Sequence, residues 1–111
     1  MEKFIQDLYL QLDLIYVANM VYQTKNNIEE IGKLMPKIEK FVLWFLEDNK
    51  FGLEERLYQD MSINLIGVLK DMESSIQNGD RVLLHDAAAY GLSEYLRLFI
   101  PAQEVGTNDD L

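Results

Sequence analysis

The chain contains no cysteine, and this absence excludes disulfide bonds, thiolate zinc sites and thiol nucleophiles. Glycine and proline are scarce, at six and two residues in 111, too few for an all-β chain that needs a turn about every ten residues. With one histidine, the chain cannot supply the two Glu-x-x-His motifs of a di-iron or di-manganese bundle. Phosphate-binding glycine loops and the Gly-x-Ser-x-Gly nucleophile motif are also missing. We therefore expect no cofactor and no enzymatic activity.

Basic residues are in the minority: 19 acidic side chains against 10 lysines and arginines give a net charge of −9. Nucleic acids and anionic lipids are bound by concentrated basic side chains, and the sequence shows no such concentration. We therefore expect neither a nucleic-acid nor a membrane partner. A basic protein partner, or simple solubility, agrees better with this charge.

Long apolar runs are also missing. The longest, FVLWFL at 41–46, is far below the roughly 20 residues of a transmembrane helix. Asp7 and Asp13 interrupt the N-terminal segment, where a signal peptide would be uniformly apolar. Apolar residues still make up 49% of the chain, enough for one hydrophobic core. The sequence predicts a soluble cytoplasmic protein with one domain over 1–100 and a disordered acidic tail over 101–111.

The first apolar segment fits two kinds of secondary structure. Alternate leucines in DLYLQLDL, residues 7–14, are typical of a half-buried strand, but leucine favours helices and no second segment offers a partner strand. A helix here has two apolar stripes, the second of which includes Leu10, Leu14 and Val17. Such a helix is either central in a bundle or shares its second stripe with another chain.

A second helix is predicted after Asn26, which with Glu29 has the pattern of an N-cap followed by an acidic first turn. Pro36 lies inside this segment. Proline removes one backbone hydrogen bond and crowds the preceding turn, so the helix should be kinked or broken at Pro36.

Two further helices follow the loop predicted at 48–52. Apolar residues spaced by three and four predict a third helix from about 53 to 77, ended by Gly79. The fourth should run from about Asp80 to a point before Pro101. Four helices with short connections predict an all-α, up-and-down antiparallel bundle.

The only histidine lies between two aspartates in NGDRVLLHDAAAYG, residues 78–91. Consecutive helical residues point about 100° apart, so Asp86 is poorly placed to orient the His85 ring as a catalytic base. Asp80 follows a glycine and should cap the amides of residues 82 and 83. A helix start with a surface histidine is therefore the favoured interpretation, and a metal-dependent enzyme using Asp80 and Asp86 is the weaker alternative.

Small and aromatic residues suggest where helices and partners make contact. The run AAAYG at 87–91 allows close approach of another helix, here the third. Trp44, between core positions, is expected to be half exposed. Five of the six tyrosines, namely Tyr16, Tyr22, Tyr58, Tyr90 and Tyr95, can pack their rings with their hydroxyls at the edge. The candidate partner-binding residues are Leu10, Leu14, Val17, Trp44 and Tyr90.

The same C-terminal segment resembles a motif of small, uncharacterised helical proteins from Gram-positive bacteria. That motif has an Asp and a Val-Leu-Leu-x-Asp before a Tyr-Glu-Leu, and the chain has a glycine in place of its glutamate. The matching residues are Asp80, Val82, Leu83, Leu84, Asp86, Tyr90 and Leu92. In size, acidity and helical content the chain is also similar to export and flagellar chaperones. Neither resemblance implies an enzymatic activity.

These observations predict a small acidic adaptor or chaperone-like protein that acts through protein–protein contact. It would hold an amphipathic partner helix in a groove formed by the second stripe of the first helix with Trp44 or Tyr90. A homodimer would use the same surface. The alternative non-enzymatic role is a structural subunit of a larger assembly.

Overall fold

The computed structural model describes residues 1–22 and 27–100, with only the backbone described for 19–22. The predicted cap at Asn26 and the predicted tail therefore lie outside the described residues. The helices are α1 (Glu2–Tyr22), α2 (Asn27–Glu47) and α3 (Glu55–Asn78), followed by α4, which comprises Arg81–Asp86, a π-helical turn over Ala87–Leu92, and Ser93–Arg97. No strand occurs in the described part of the chain.

Successive helices are antiparallel neighbours, which confirms the predicted all-α bundle. At one end of the molecule the Lys40 ammonium lies 5.0 Å from the centre of the Phe4 ring, so the start of α1 meets the later part of α2. The α1–α4 and α3–α4 pairs show the same reversed order. Helices α2 and α4 lie diagonally and run parallel, and the Asn27 amide nitrogen donates to the Arg81 carbonyl oxygen over 3.2 Å where both begin.

The core is a single apolar cluster to which all four helices contribute. Among the side chains that the structure describes, fourteen are buried in it: Ile5, Leu8, Leu12, Ile31, Ile38, Phe41, Val42, Phe45, Leu65, Met72, Leu84, Ala88, Leu92 and Leu96. Helix α1 contributes only one of its two stripes. It packs against α2 and α4, and its second stripe faces away from the protein. The interpretation of α1 as a central helix, covered on both sides by the bundle, is therefore wrong.

Helix α2 continues without a break through Pro36. A proline inside a helix costs about 3 kcal/mol through the lost hydrogen bond and the crowded preceding turn. Here the proline ring is exposed, while Ile31 before it and Ile38 after it are fully buried. Packing on both sides of the proline holds the two halves in one helix, so the predicted break is absent.

The connections on either side of α3 lie at the predicted loop over 48–52 and at the predicted stop, Gly79. In the α2–α3 loop Gly52 has φ of +61°, and the Asn49 side chain exchanges two hydrogen bonds with the backbone of Leu53. After α3, Gly79 adopts the left-handed conformation with φ of +68°. The Asp80 carboxylate then accepts a hydrogen bond from the Leu83 amide over 3.0 Å, which confirms its predicted role as a cap.

The π-helical turn in α4 was not predicted, and it explains how α4 packs. Its buried apolar residues are spaced by four throughout: Leu84, Ala88, Leu92 and Leu96. In a regular α-helix such spacing drifts round the helix by about 40° per step. A π turn places more residues in each turn and so keeps these side chains directed at the core. Within it Gly91 lies against Val68 of α3, so the predicted close approach of the third helix is confirmed.

Candidate interaction surface

Three aliphatic side chains lie in a row on the solvent side of α1. Leu10, Leu14 and Val17 are 57%, 69% and 48% exposed. At 100° per residue they lie on the opposite side of the helix from its buried residues. Single exposed apolar residues are ordinary on protein surfaces, but three at successive helical turns form the apolar stripe expected of a helix that packs on both sides.

Helix α4 adds two exposed apolar side chains. Val82 and Tyr90 are 74% and 73% exposed, and Tyr90 lies in the π-helical turn. Because α4 packs beside α1 in the opposite direction, its early residues lie near the later part of α1. We call the surface made of Leu10, Leu14, Val17, Val82 and Tyr90 the α1/α4 face.

The two helices are joined below this face by a row of rings. The His85 ring lies between two tyrosines in edge-to-face contact, with its centre 5.4 Å from that of Tyr16 and 6.1 Å from that of Tyr90. The hydroxyls of Tyr16 and buried Ser93 share a hydrogen bond of 3.0 Å. The pKa of Tyr16 is raised to about 12, mainly by burial and with a smaller contribution from the charge of Asp13, while the hydrogen bond with Ser93 lowers it. Tyr90 is thereby positioned beside the later part of α1.

The other end of the α1–α4 seam is occupied by Arg97. Its guanidinium donates to the Tyr9 hydroxyl over 3.0 Å, lies 5.7 Å from the centre of that ring, and approaches Glu94 to 3.5 Å. The hydrogen bond to Tyr9 is the main cause of a raised pKa for Arg97. The guanidinium of Arg97 therefore already has partners within the protein.

Trp44 lies at the far end of the molecule from Val17. It is half-buried, as predicted, and lines an open depression of about 450 Å³ together with Met1 and Leu43. Met1 and Val17 are about 24 Å apart along the axis of α1 at 1.5 Å per residue. The sequence predicts either Trp44 or Tyr90 as the residue that completes the surface. The structure places Tyr90 beside the later half of the stripe and Trp44 beside the start of α1.

An aromatic cluster holds Trp44 in that position. The Phe99 ring contacts the Trp44 ring edge-to-face with centres 4.9 Å apart, and stacks on Phe51 at 4.7 Å. Lys50 covers Trp44 from another side, with its ammonium 4.7 Å from the ring centre and donating to the Trp44 carbonyl oxygen over 2.7 Å. Trp44 therefore has a structural role in closing this end of the bundle.

The aspartates near His85 do not assemble into a catalytic or metal-binding arrangement within the described residues. Asp80 is engaged as a helix cap, Asp86 is exposed one residue after His85, and no ion pair of His85 is found in the described part of the chain. The ranges 1–22 and 27–100 contain no group of three histidine, aspartate or glutamate side chains that could hold a metal ion. The metal-dependent alternative gains no support from this geometry.

The half-buried position of His85 between two tyrosines was missed at the sequence level, where a surface histidine was expected. The strict four-residue spacing of apolar positions in α4 is the signal that could have revealed it. An underwound turn changes which residues face α1, and it brings His85 and Tyr90 to the same seam.

The fold and this surface define the protein as an all-α four-helix bundle with an exposed apolar face on its first and last helices. None of the described helices is both long and apolar enough to cross a membrane. Comparison of the chain with protein-family models, curated proteins and solved structures found no match. The surface itself is therefore the basis for a functional proposal.

Proposed function

We propose that this protein is a non-enzymatic interaction module, an adaptor or chaperone-like protein, that holds an amphipathic helix of a partner protein against the α1/α4 face. The observation that carries the proposal is the exposure of Leu10, Leu14 and Val17 at successive turns of α1. The similarity in size and acidity to export and flagellar chaperones agrees with this role.

The stability of the bundle does not account for this stripe. Helix α1 is anchored by Ile5, Leu8 and Leu12, which are at most 1% exposed, and polar residues on its opposite side would leave that packing intact. Burying a leucine or valine side chain contributes about 1.5–3 kcal/mol. The stripe therefore offers binding energy that the isolated protein does not use.

The geometry favours a helix as the bound element. Residues 10, 14 and 17 follow the four- and three-residue spacing that a second helix meets when ridges of side chains pack into grooves. Tyr90 stands beside the later half of this ridge, and aromatic side chains are enriched among residues that dominate protein interfaces. A partner helix lying along α1 would contact both.

The test compares two equally exposed aliphatic residues on opposite helices. Leu14 and Ile63 are 69% and 68% exposed, on α1 and α3 respectively. Leu14→Asp should abolish capture of a partner from extracts of the source cell, while Ile63→Asp should retain it. Both variants should keep the far-UV circular dichroism and thermal midpoint of the wild type, because neither side chain is in the core.

Capture that is insensitive to Leu14→Asp, or equally sensitive to both substitutions, would contradict the proposal. Sedimentation of the purified protein tests whether a second copy of the chain, rather than another protein, binds this face. If the wild type is a dimer that Leu14→Asp dissociates, the face is occupied by a second copy of this chain. Loss of an entire multi-protein assembly with Leu14→Asp would identify a structural subunit instead.

A further inference from the structure

We infer that the partner helix is cationic, with lysine or arginine side chains beside its apolar residues, and that Asp13 and Asp86 recognise them. This inference rests on the proposed function and specifies the chemistry of the partner. Its basis is the distribution of charge around the α1/α4 face.

Carboxylates flank the apolar stripe of α1 on both sides. On the helix, Asp7 and Asp13 lie about 60° to either side of the line through Leu10, Leu14 and Val17, and both are exposed. Asp13 is on the side of α4, where its charge acts on Tyr16. An apolar row between two carboxylates is complementary to a helix with an apolar row between two cations.

Helix α4 repeats this arrangement. Asp86 follows Val82 by one turn and precedes Tyr90 by one turn, and all three side chains are exposed. Asp13 and Asp86 therefore belong to neighbouring helices on the part of the face where Val17 and Tyr90 present apolar surface. A partner helix along the stripe would have Asp7 on one side and Asp13, with Asp86 of α4, on the other.

Neither the Asp13 nor the Asp86 carboxylate caps a helix or forms an ion pair in the described part of the chain, although the charge of Asp13 acts at longer range on Tyr16 and Arg97. Other acidic residues stabilise helix starts, as Glu29 and Glu55 do in first turns and Asp80 does by capping. Asp13 and Asp86 are away from helix starts and form no ion pair with any basic residue that the structure describes. Because both carboxylates stay hydrated, their exposure carries no desolvation penalty. Their position places negative charge around an apolar surface.

The same charges disfavour a second copy of the chain as the occupant. Two copies meeting through this face would bring their aspartates together, and each copy carries a net charge of −9. Arg97, on the seam between α1 and α4, already contacts Tyr9 and Glu94. Like charges across an interface oppose association, whereas a cationic helix would neutralise them.

Three synthetic helical peptides test the inference. They share one leucine face with the spacing i, i+4, i+7 and differ only in their flanking residues, which are lysine, glutamine or glutamate. Anisotropy of the labelled peptides measures affinity, and amide shifts of the ¹⁵N-labelled protein locate binding. We expect binding on α1 and α4 in the order lysine, glutamine, glutamate, with about ten-fold between the extremes at low salt and less at high salt.

Paired charge variants separate local recognition from attraction to the whole acidic protein. Asp13→Asn with Asp86→Asn should weaken the lysine peptide about three- to ten-fold, since exposed ion pairs contribute modestly, and should leave the glutamine peptide unchanged. The control is Asp60→Asn with Asp71→Asn, which removes the same charge from exposed positions on α3. It should change the affinity for the lysine peptide less than two-fold, a limit set well below the effect of local ion pairs.

Equal binding of all three peptides to the α1/α4 face would overturn the charge inference and leave the proposed function standing. Equal weakening by both double variants would overturn the inference too, because the attraction would then be nonspecific. If none of the peptides shifts α1 and α4 resonances, both the inference and the proposed function fail. Dimerisation of the free protein through this face would replace the cationic helix with a second copy.

Discussion

Gly91 of α4 and Val68 of α3 are in closer contact than any side chain at position 91 would allow. A Cβ atom added to Gly91 would lie 2.9 Å from one methyl carbon of Val68 and 3.0 Å from the other. Valine is branched at Cβ and has little freedom to turn away. This contact lies in the π-helical turn, where α4 packs directly on α3.

Gly91→Ala should therefore destabilise the protein, although alanine is normally preferred to glycine in a helix by about 1 kcal/mol. Overpacking costs about 1–3 kcal/mol, so a net loss of about 1 kcal/mol is expected in urea unfolding. In a Val68→Ala background the same change should become neutral or stabilising, because the obstructing methyl groups are gone.

The control for this prediction is Gly67→Ala. Gly67 lies in the middle of α3, and an added Cβ there would meet no atom within 4 Å. This change should stabilise the protein by about 0.5–1 kcal/mol. Stabilisation by Gly91→Ala in the wild-type background would show that α3 and α4 are further apart than described.

The buried hydroxyl of Tyr16 should make stability fall at alkaline pH. Its pKa is raised from 10.0 to about 12, so the folded protein holds the proton more tightly than the unfolded chain does. The associated stability is fully present below pH 10 and is lost as the pH rises towards 12, by roughly 2–3 kcal/mol in total. Urea unfolding between pH 9 and 12 measures this loss.

Tyr16→Phe should flatten this pH dependence and cost about 1 kcal/mol at neutral pH through the lost hydrogen bond to Ser93. Tyr90→Phe removes a hydroxyl at a position 73% exposed and is the control for the loss of stability at neutral pH, which it should change by less than about 0.5 kcal/mol. Parallel pH profiles for the wild type and Tyr16→Phe would refute the assignment.

Asp80 and Asp86 are six residues apart and should respond differently to removal of the carboxylate. Asp80→Ala should destabilise the protein by about 1 kcal/mol, because the Leu83 amide loses its capping acceptor. Asp80→Asn should retain most of the stability. Asp86→Ala should change the thermal unfolding free energy by less than about 0.5 kcal/mol, as expected for an exposed residue, and a larger effect would reveal a structural role that its exposure does not suggest.

Phe99 should dominate the stability of the aromatic end of the bundle. Its ring contacts Phe41, Trp44, Phe45 and Phe51, with centres 4.7–6.2 Å apart. Phe99→Ala should cost about 3 kcal/mol and shift Trp44 fluorescence to longer wavelength in the folded state. Phe51→Ala is the matched control, since that ring is 47% exposed, and it should cost about 1 kcal/mol. Similar losses for both would mean that Phe99 lies outside the core packing.

The sequence by itself determined the helices, their order and their ends. Apolar spacing and helix signals such as Gly79 and Asp80 act within one or two turns of chain, so they can be read locally. The two stripes of α1 are visible in the sequence in the same way. Each described residue of the exposed stripe, Leu10, Leu14 and Val17, is also among the predicted partner-binding residues.

Only the tertiary structure decided which stripe of α1 is buried, that α2 stays continuous through Pro36, and that α4 contains a π-helical turn. Each of these depends on free energy from contacts between residues distant in the chain, such as Gly91 with Val68 or Tyr16 with Ser93. Local propensity differs by less than about 1 kcal/mol per residue between ordinary side chains, so packing decides between alternatives that the sequence leaves equally open.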